Sequence, residues 1–277
     1  MEYSFLVASD VDYTLLMTGK PVSKANKEAI DAIRNMGGAF TLATGRTSYL
    51  TGAYILDLGL DVPLITSNGA AVYDPISHKD LYSSLIPDRI VKEFIKVFYK
   101  NNTNSTCYSP EAIYFAPGCS RREFIANYNS NLPLEYKAPT KELTLDMATN
   151  NTPAFNKFLF ISPDRDSLNF AYSFDELEIV SSAPTFYDIM AKGATKGDGL
   201  LRVADILNIP HNLTFALGDS DNDLSMVELA SHGIAMGNAN DNVKSAAKYI
   251  TDTCENDGLA KAVFEYIIPT VKEIIGQ

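Results

Sequence analysis

The chain reads as an α/β protein, a doubly wound parallel sheet interrupted by an α+β insertion. Three observations predict this. Apolar runs of strand length alternate with helix-periodic segments through the first third of the 277 residues, and the same rhythm returns near the end. Between them lies a Tyr- and Asn-rich stretch punctuated by Pro and Ser, where the rhythm is lost. The outer strands also end in short polar tips instead of running into further apolar sequence. The expected division is an outer, discontinuous domain of residues 1–84 and 188–277 with an inserted domain at 85–187. The length is ample for a buried core in each.

The elements follow in order. Phe5 to Ser9 is the first strand, and it opens onto Asp10, Val11, Asp12, Tyr13 and Thr14. Ser23 is placed to cap a helix whose apolar residues Ala29, Ile30, Ile33 and Met36 recur at helical spacing, and Gly37-Gly38 stops it. Ala39 to Ala43 is a second strand ending in Thr44-Gly45-Arg46, and Pro63 to Thr66 a third, ending in Ser67-Asn68-Gly69 with a small hairpin from Ala70 to Tyr73. In the insertion, Ile90, Val91, Phe94, Ile95 and Phe98 mark a helix. Short strands are expected near Thr106 to Tyr108, Ala112 to Phe115 and Asn156 to Ile161, with a second helix around Asp166 to Phe174. The aromatic residues Tyr108, Tyr114, Phe115 and Phe158 read as its core. The outer pattern then resumes: Lys196-Gly197 leads into a helix, Leu213 to Leu217 forms a strand, and Gly218-Asp219-Ser220-Asp221-Asn222-Asp223 follows directly. A helix through Met226 to Ala230, a strand from Gly233 to Met236 and two helices near Asn240 to Ala247 and Leu259 to Ile268 close the chain.

Composition narrows the function. Hydrophobic residues make up 46% and charged residues 21%, as in ordinary globular proteins. A formal net charge of −11 disfavours nucleic acid and anionic membrane as partners, and the only local basic feature noted is the isolated pair Arg121-Arg122. The three cysteines and three histidines are scattered, which removes a zinc site and suggests reduced thiols. No signal-like segment precedes the first strand and no apolar run reaches membrane-spanning length, so a cytoplasmic protein is expected.

Four strand ends carry the chemistry: Asp10 with Asp12, Thr44 with Gly45, Lys196, and Asp219 with Asp223. In an open parallel sheet such ends face one edge. Carboxylates favour a hard cation such as Mg²⁺, while a Thr hydroxyl, a Gly N–H and a Lys ammonium are the donors a phosphoryl group needs. Asp10 and Asp12 sit one residue apart and diverge, which suits a division between nucleophile and metal ligand on one side and general acid–base on the other. Taken singly, the acids could simply end strands or open helices, Asn222 could be a turn residue and Lys196 a solvated charge.

Together these segments resemble the four motifs of the haloacid dehalogenase superfamily, and in detail the Cof-type phosphatases of subfamily IIB. Asp10-Val11-Asp12-Tyr13-Thr14, Thr44-Gly45-Arg46, Lys196-Gly197 and Gly218 to Asp223 stand at the motifs, with further likeness in Ser67-Asn68-Gly69-Ala70, Ala235 to Ala239 and Asn256-Asp257-Gly258. The resemblance implies a Rossmann-like core with a cap of the C2B type. It implies catalysis by Asp10, Asp12, Thr44 and Lys196, and phosphate binding by Thr44, Gly45, Arg46, Lys196 and Asn222. Mg²⁺ is implied at Asp10, Asp12, Asp219 and Asp223. Arg46 could instead pair with a surface acid and Asn68 brace a turn, which leaves both for supporting or hinge roles, and Asp188 and Lys192 could reach substrate when the cap closes. The implied reaction is hydrolysis of a small phosphorylated metabolite through an aspartyl-phosphate, a sugar phosphate being preferred over flavin or pyridoxal phosphates. A sugar-phosphate phosphomutase and a non-catalytic phosphometabolite-binding protein are the alternatives, and a monomer or weak homodimer is expected. Tyr13 departs from the usual Gly and either contacts substrate or packs away under the cap.

Overall fold

The computed structural model describes residues 3–276; the expected outer domain's residues 1, 2 and 277 lie outside them. Fourteen strands form among these residues: β1 (Phe5–Ser9), β2 (Gly38–Leu42), β3 (Leu64–Thr66), β4 (Ala71–Asp74), β5 (Lys79–Ser83), β6 (Ser105–Tyr108), β7 (Ile113–Phe115), β8 (Thr140–Glu142), β9 (Lys157–Ile161), β10 (Leu177–Ala183), β11 (Phe186–Ala191), β12 (Thr214–Gly218), β13 (His232–Ala235) and β14 (Tyr249–Ile250). The principal helices are α1 (Lys24–Asn35), α2 (Gly52–Leu58), α3 (Asp88–Lys100), α4 (Arg122–Ser130), α5 (Lys196–Ile206), α6 (Leu224–Leu229), α7 (Asp241–Ala246), α8 (Gly258–Ala262) and α9 (Ile268–Ile275), the last two joined by a π-helical turn at Val263–Ile267.

The outer sequence builds a five-stranded sheet in the order β14-β13-β12-β1-β2, parallel throughout. Its strands β1, β2 and β12 are buried along their full length, as expected of parallel strands covered on both faces. α1 begins as its sequence predicts: the Ser23 side chain accepts from the Asn26 N–H, and Ala29, Ile30 and Ile33 are buried. One expectation needs correction. β3 does not extend the parallel sheet as a full strand; it joins the end of β2 through a parallel bridge between Ala43 and Ile65 and a bond from the Thr41 hydroxyl to the Pro63 carbonyl, and it pairs antiparallel with β4, which pairs with β5.

The middle of the chain builds a second, six-stranded sheet in the order β10-β11-β9-β6-β7-β8. α3 packs Ile90, Val91, Phe94, Ile95 and Phe98 against one face of it, together with Phe155, Phe158 and Phe160. Because side chains alternate along a strand, the neighbours Lys157 and Leu159 of β9 point to the other face, as do Asp188 of β11 and Tyr108 of β6. That other face looks onto the tips of the parallel sheet. β11 runs to Ala191, so the chain leaves this sheet a few residues later than the expected boundary between 187 and 188.

The helix expected at Asp166 to Phe174 is instead two short 3-10 turns, Arg165–Leu168 and Ala171–Ser173. The local polar side chains explain it: the Asp164 carboxylate accepts from the Asp166 N–H and the Ser167 hydroxyl donates to the Asp164 carbonyl, offering the backbone an alternative to a regular helix. Among the described residues no helix is long and apolar enough to cross a membrane.

Candidate active site

Asp10 follows β1 directly and its N–H donates to the Leu217 carbonyl of β12, which fixes it between the two central strands. Its carboxylate is buried, and its Oδ1 lies 2.6 Å from the ammonium of Lys196. Lys196 opens α5, whose N-cap Thr195 accepts from the Asp198 N–H. The same ammonium is 2.5 Å from Asp223 Oδ1, so one fully buried cation holds two carboxylates. Gly197 is required beside it: a Cβ there would stand 2.5 Å from the Ser225 carbonyl oxygen, and the close contact of α5 with α6 would be lost.

Asp223 closes the turn after β12. Its Oδ2 accepts from the Asp219 N–H at 2.9 Å and the Ser220 N–H at 3.1 Å, while Ser220 and Asp223 cap each other reciprocally. Gly218 makes room for this, since a Cβ there would meet the Asp223 Cβ at 2.3 Å. Both Asp223 oxygens are thereby engaged within the protein. Asp219 is freer; its Oδ1 accepts from the Thr14 hydroxyl at 3.1 Å.

Burial pushes the Asp10 carboxyl up to about 8, with Lys196 opposing and Asp223 adding repulsion. Burial likewise raises Asp219 to about 6, again with Asp223 contributing. Burial alone would lower Lys196, but the carboxylates of Asp10 and Asp223 override it and hold the ammonium well above its ordinary value. The cluster thus carries more negative charge than one lysine neutralises. Carboxylate oxygens of Asp10, Asp219 and Asp223 lie within 4.8 Å of one another, a hard-oxygen donor set that fits a divalent cation.

Asp12 takes a separate direction. Arg46 grips it through Nε at 3.2 Å and Nη2 at 2.9–3.0 Å, and the Thr18 hydroxyl donates to it at 2.9 Å. Arg46 is therefore occupied by Asp12 and does not stand open to an anion. Thr44 is buried beyond β2 and its hydroxyl accepts from the Arg46 N–H; Thr44 and Gly45 both line the same cleft as Asp10 and Asp12.

This cleft has a volume of about 550 Å³ and is roofed by the free face of the six-stranded sheet. The roof is tied to the floor. Lys157 is 2.7 Å from Asp188 Oδ1 and donates to the Gly45 carbonyl at 2.6 Å, while Asn68 donates to Asp188 Oδ2 at 3.0 Å and receives a bond from Asn222 at 3.2 Å. Asp188 is almost fully buried in this chain of contacts, whereas Lys192 is exposed and lies outside the cleft lining. Tyr13 is 47% exposed and lines the cleft, so it does not pack away beneath the cap; its φ of 66° is the left-handed conformation that Gly adopts most easily. Phe158, Tyr114 and Phe115 belong to the buried core as expected, but Tyr108 also reaches the cleft.

Lys157 and Arg121 line the site without having been singled out. Lys157 begins a strand and carries no local motif, and Arg121 was legible only as half of a basic pair.

The match to a family model settles the ancestry: residues 7–263 fit that of the haloacid dehalogenase-like hydrolases. The chain belongs to this family. Among haloacid dehalogenase-like proteins it is 30% identical to 5-amino-6-(5-phospho-D-ribitylamino)uracil phosphatase of Bacillus subtilis strain 168, over 95% of this chain and 96% of the relative. It is 26% identical to the pyridoxal phosphate phosphatase of Escherichia coli K12, over 95% and 98% of the two chains. The solved structure of the subclass IIB sugar phosphatase BT4131 is similar with a TM-score of 0.77 and 26% identity, covering 95% of this chain and 99% of that one. A haloacid dehalogenase-like core and cap thus account for the five-stranded and six-stranded sheets.

Proposed function

We propose that this haloacid dehalogenase-like phosphatase hydrolyses a small phosphorylated metabolite through an aspartyl-phosphate on Asp10, with Mg²⁺ as its metal. The observation that carries the reading is one buried lysine bridging Asp10 and Asp223 beside Asp219, with Asp10 and Asp219 lining the cleft and Lys196 and Asp223 fully buried behind them. Such a cluster holds a nucleophilic carboxylate in place and leaves excess negative charge for a cation to offset.

Asp10 and Asp219 are the side chains proposed to hold the metal, with the Asp12 backbone carbonyl as a third oxygen. Asp223 supports them by fixing Lys196 and the two N–H groups of the Asp219 turn. When bound, Mg²⁺ supplies positive charge where carboxylate and phosphate meet. Asp10 attacks phosphorus in line, the P–O bond to the leaving group breaks, and Asp12 protonates the departing oxygen. Water then attacks the aspartyl-phosphate with Asp12 taking its proton, which releases inorganic phosphate and regenerates Asp10. Thr44, the Gly45 N–H and Lys196 are the donors proposed for the phosphoryl oxygens, with Asn222 bracing that wall through Asn68. Arg46 is assigned to hold Asp12 in its orientation. Sugar phosphates and phosphorylated cofactors are the two substrate classes, the named substrates of the relatives lending support to both.

The test is phosphate release from sugar phosphates, nucleotides, flavin mononucleotide and pyridoxal 5′-phosphate, with Mg²⁺ and with chelator. Release that depends on both the metal and Asp10 is expected. Metal-dependent binding without any release from wild-type protein would count against hydrolysis, and transfer to a bisphosphate would favour a phosphomutase.

A further inference from the structure

The roof of the cleft differs chemically from what a hydroxyl-rich leaving group needs. Leu50, Tyr108, Phe124, Leu159 and Phe186 line it largely with carbon, and Phe124 is 45% exposed. Into this wall projects Arg121. Its guanidinium carbon lies 4.3 Å from the ring centre of Phe124 and 5.9 Å from that of Phe186.

The other cations at the cleft are spoken for. Lys196 binds Asp10 and Asp223, Arg46 binds Asp12, and Lys157 binds Asp188. Arg121 alone has no carboxylate partner among the described residues, and its Nε is buried without a hydrogen-bond acceptor. Protein structures rarely leave a buried N–H of this kind without an acceptor, which points to a partner from outside the chain.

Resting on the phosphatase reading, we propose that Arg121, with Tyr108, Phe124 and Phe186, forms a leaving-group subsite for a planar heteroaromatic ring bearing a carbonyl or similar acceptor at its edge. The ring stacks against the phenyl groups while the guanidinium meets its acceptor edge. Against Leu50, Phe124, Leu159 and Phe186 a sugar would strand hydroxyls on carbon, and Lys157 and Asp188 are engaged with each other. A second phosphate would find only one unengaged cation, where phosphate sites gather several donors. The volume of the cleft lies within the range of sites that enclose a molecule of this size.

The experiment compares wild type, Arg121→Gln, Arg121→Lys and Phe124→Ala in the presence of Mg²⁺. Substrates are flavin mononucleotide, pyridoxal 5′-phosphate, glucose 6-phosphate and acetyl phosphate, the last having no leaving group large enough to reach the roof. Wild type should prefer the two ring phosphates over glucose 6-phosphate. Arg121→Gln should raise KM for the ring phosphates about tenfold and lower their kcat/KM relative to acetyl phosphate by a similar factor, with partial recovery in Arg121→Lys. Phe124→Ala should act in the same direction. Quenching of flavin fluorescence supplies the dissociation constant independently of turnover, with about a tenfold weakening expected in Arg121→Gln. A parallel loss on all four substrates, an unchanged flavin affinity, or a wild-type preference for glucose 6-phosphate would overturn the subsite. Absence of release from acetyl phosphate as well would instead count against the phosphatase reading, leaving the flavin titration to judge Arg121.

Discussion

The floor and the roof of the cleft are built by opposite rules. On the floor nearly every charged group is answered: Lys196 by Asp10 and Asp223, Asp223 also by two backbone N–H groups, and Asp12 by Arg46, while Asp219 has only the Thr14 hydroxyl among the described residues. On the roof, aromatic and aliphatic carbon surrounds an arginine with an unanswered Nε. A dense electrostatic network holds atoms in one geometry, which chemistry at phosphorus requires. An incomplete wall leaves its completion to a ligand, which selection requires. The contrast assigns reaction to one sheet and discrimination to the other, with Lys157, Asp188 and Asn68 as the seam.

The contrast breaks most severely at Lys196. Lys196→Met leaves two buried carboxylates without a cation, so turnover should fall more than about 1000-fold and unfolding should cost about 3–5 kcal/mol less. Phosphate release and urea denaturation measure the two effects. A stable, active variant would show that the floor does not depend on this lysine. Removal of the divalent cation acts on the same side: at a concentration about 100 times its dissociation constant, Mg²⁺ should add about 2.7 kcal/mol of stability, seen as a higher melting temperature that chelator reverses. Asp219→Asn should diminish that gain.

The seam comes next. Lys157→Met should destabilise by about 3–5 kcal/mol, because Asp188 is left buried and charged, and the double variant Lys157→Met with Asp188→Asn should regain part of the loss. Equilibrium unfolding of all three proteins provides the cycle; additive effects would mean that the pair is not coupled. Arg46→Met should lower kcat about ten- to a hundredfold by letting Asp12 wander, with a smaller effect on stability since both side chains are partly exposed.

The smallest effect belongs to Asp80, on the β5 hairpin and remote from both faces. Burial raises its carboxyl to about 7 in the folded protein, against about 3.9 unfolded. The folded state therefore keeps the proton longer. Its stability contribution is full below about pH 4 and is lost as pH rises through about 7, by something on the order of 1 kcal/mol after solvent screening. Asp80→Asn should flatten that decline in denaturation curves measured across this interval, and an unchanged slope would remove Asp80 from the account.

Much of the floor was legible because its chemistry sits at strand tips. An apolar run that ends in Asp10, or in Gly218-Asp219, announces both the strand and the exposed end of it. The lysine and acid that complete the cluster share motifs with helix starts at Thr195 and Ser220. The roof was not legible for a physical reason: its residues come from the turn at Leu50, from β6, β9 and β11, and from the start of α4, and only the tertiary fold gathers them. α4 buries just Ile125, so no apolar stripe marks it, and β10 and β11 lie where Pro, Ser and Asp obscure the alternation. Arg46 was legible as a residue near the site but not as the partner of Asp12, since that pair closes across 34 positions of sequence.

The central claim is that the floor performs the chemistry through a covalent bond to Asp10, and peptide mapping tests it most directly. The variant Asp12→Asn is mixed with a hydrolysed substrate and Mg²⁺, quenched in acid, and digested for mass spectrometry beside an Asp10→Asn control. The account predicts one phosphoryl group on the peptide that contains Asp10, absent from the control. Steady turnover by wild type with no phosphoryl group trapped at Asp10, or with one on another residue, would contradict it.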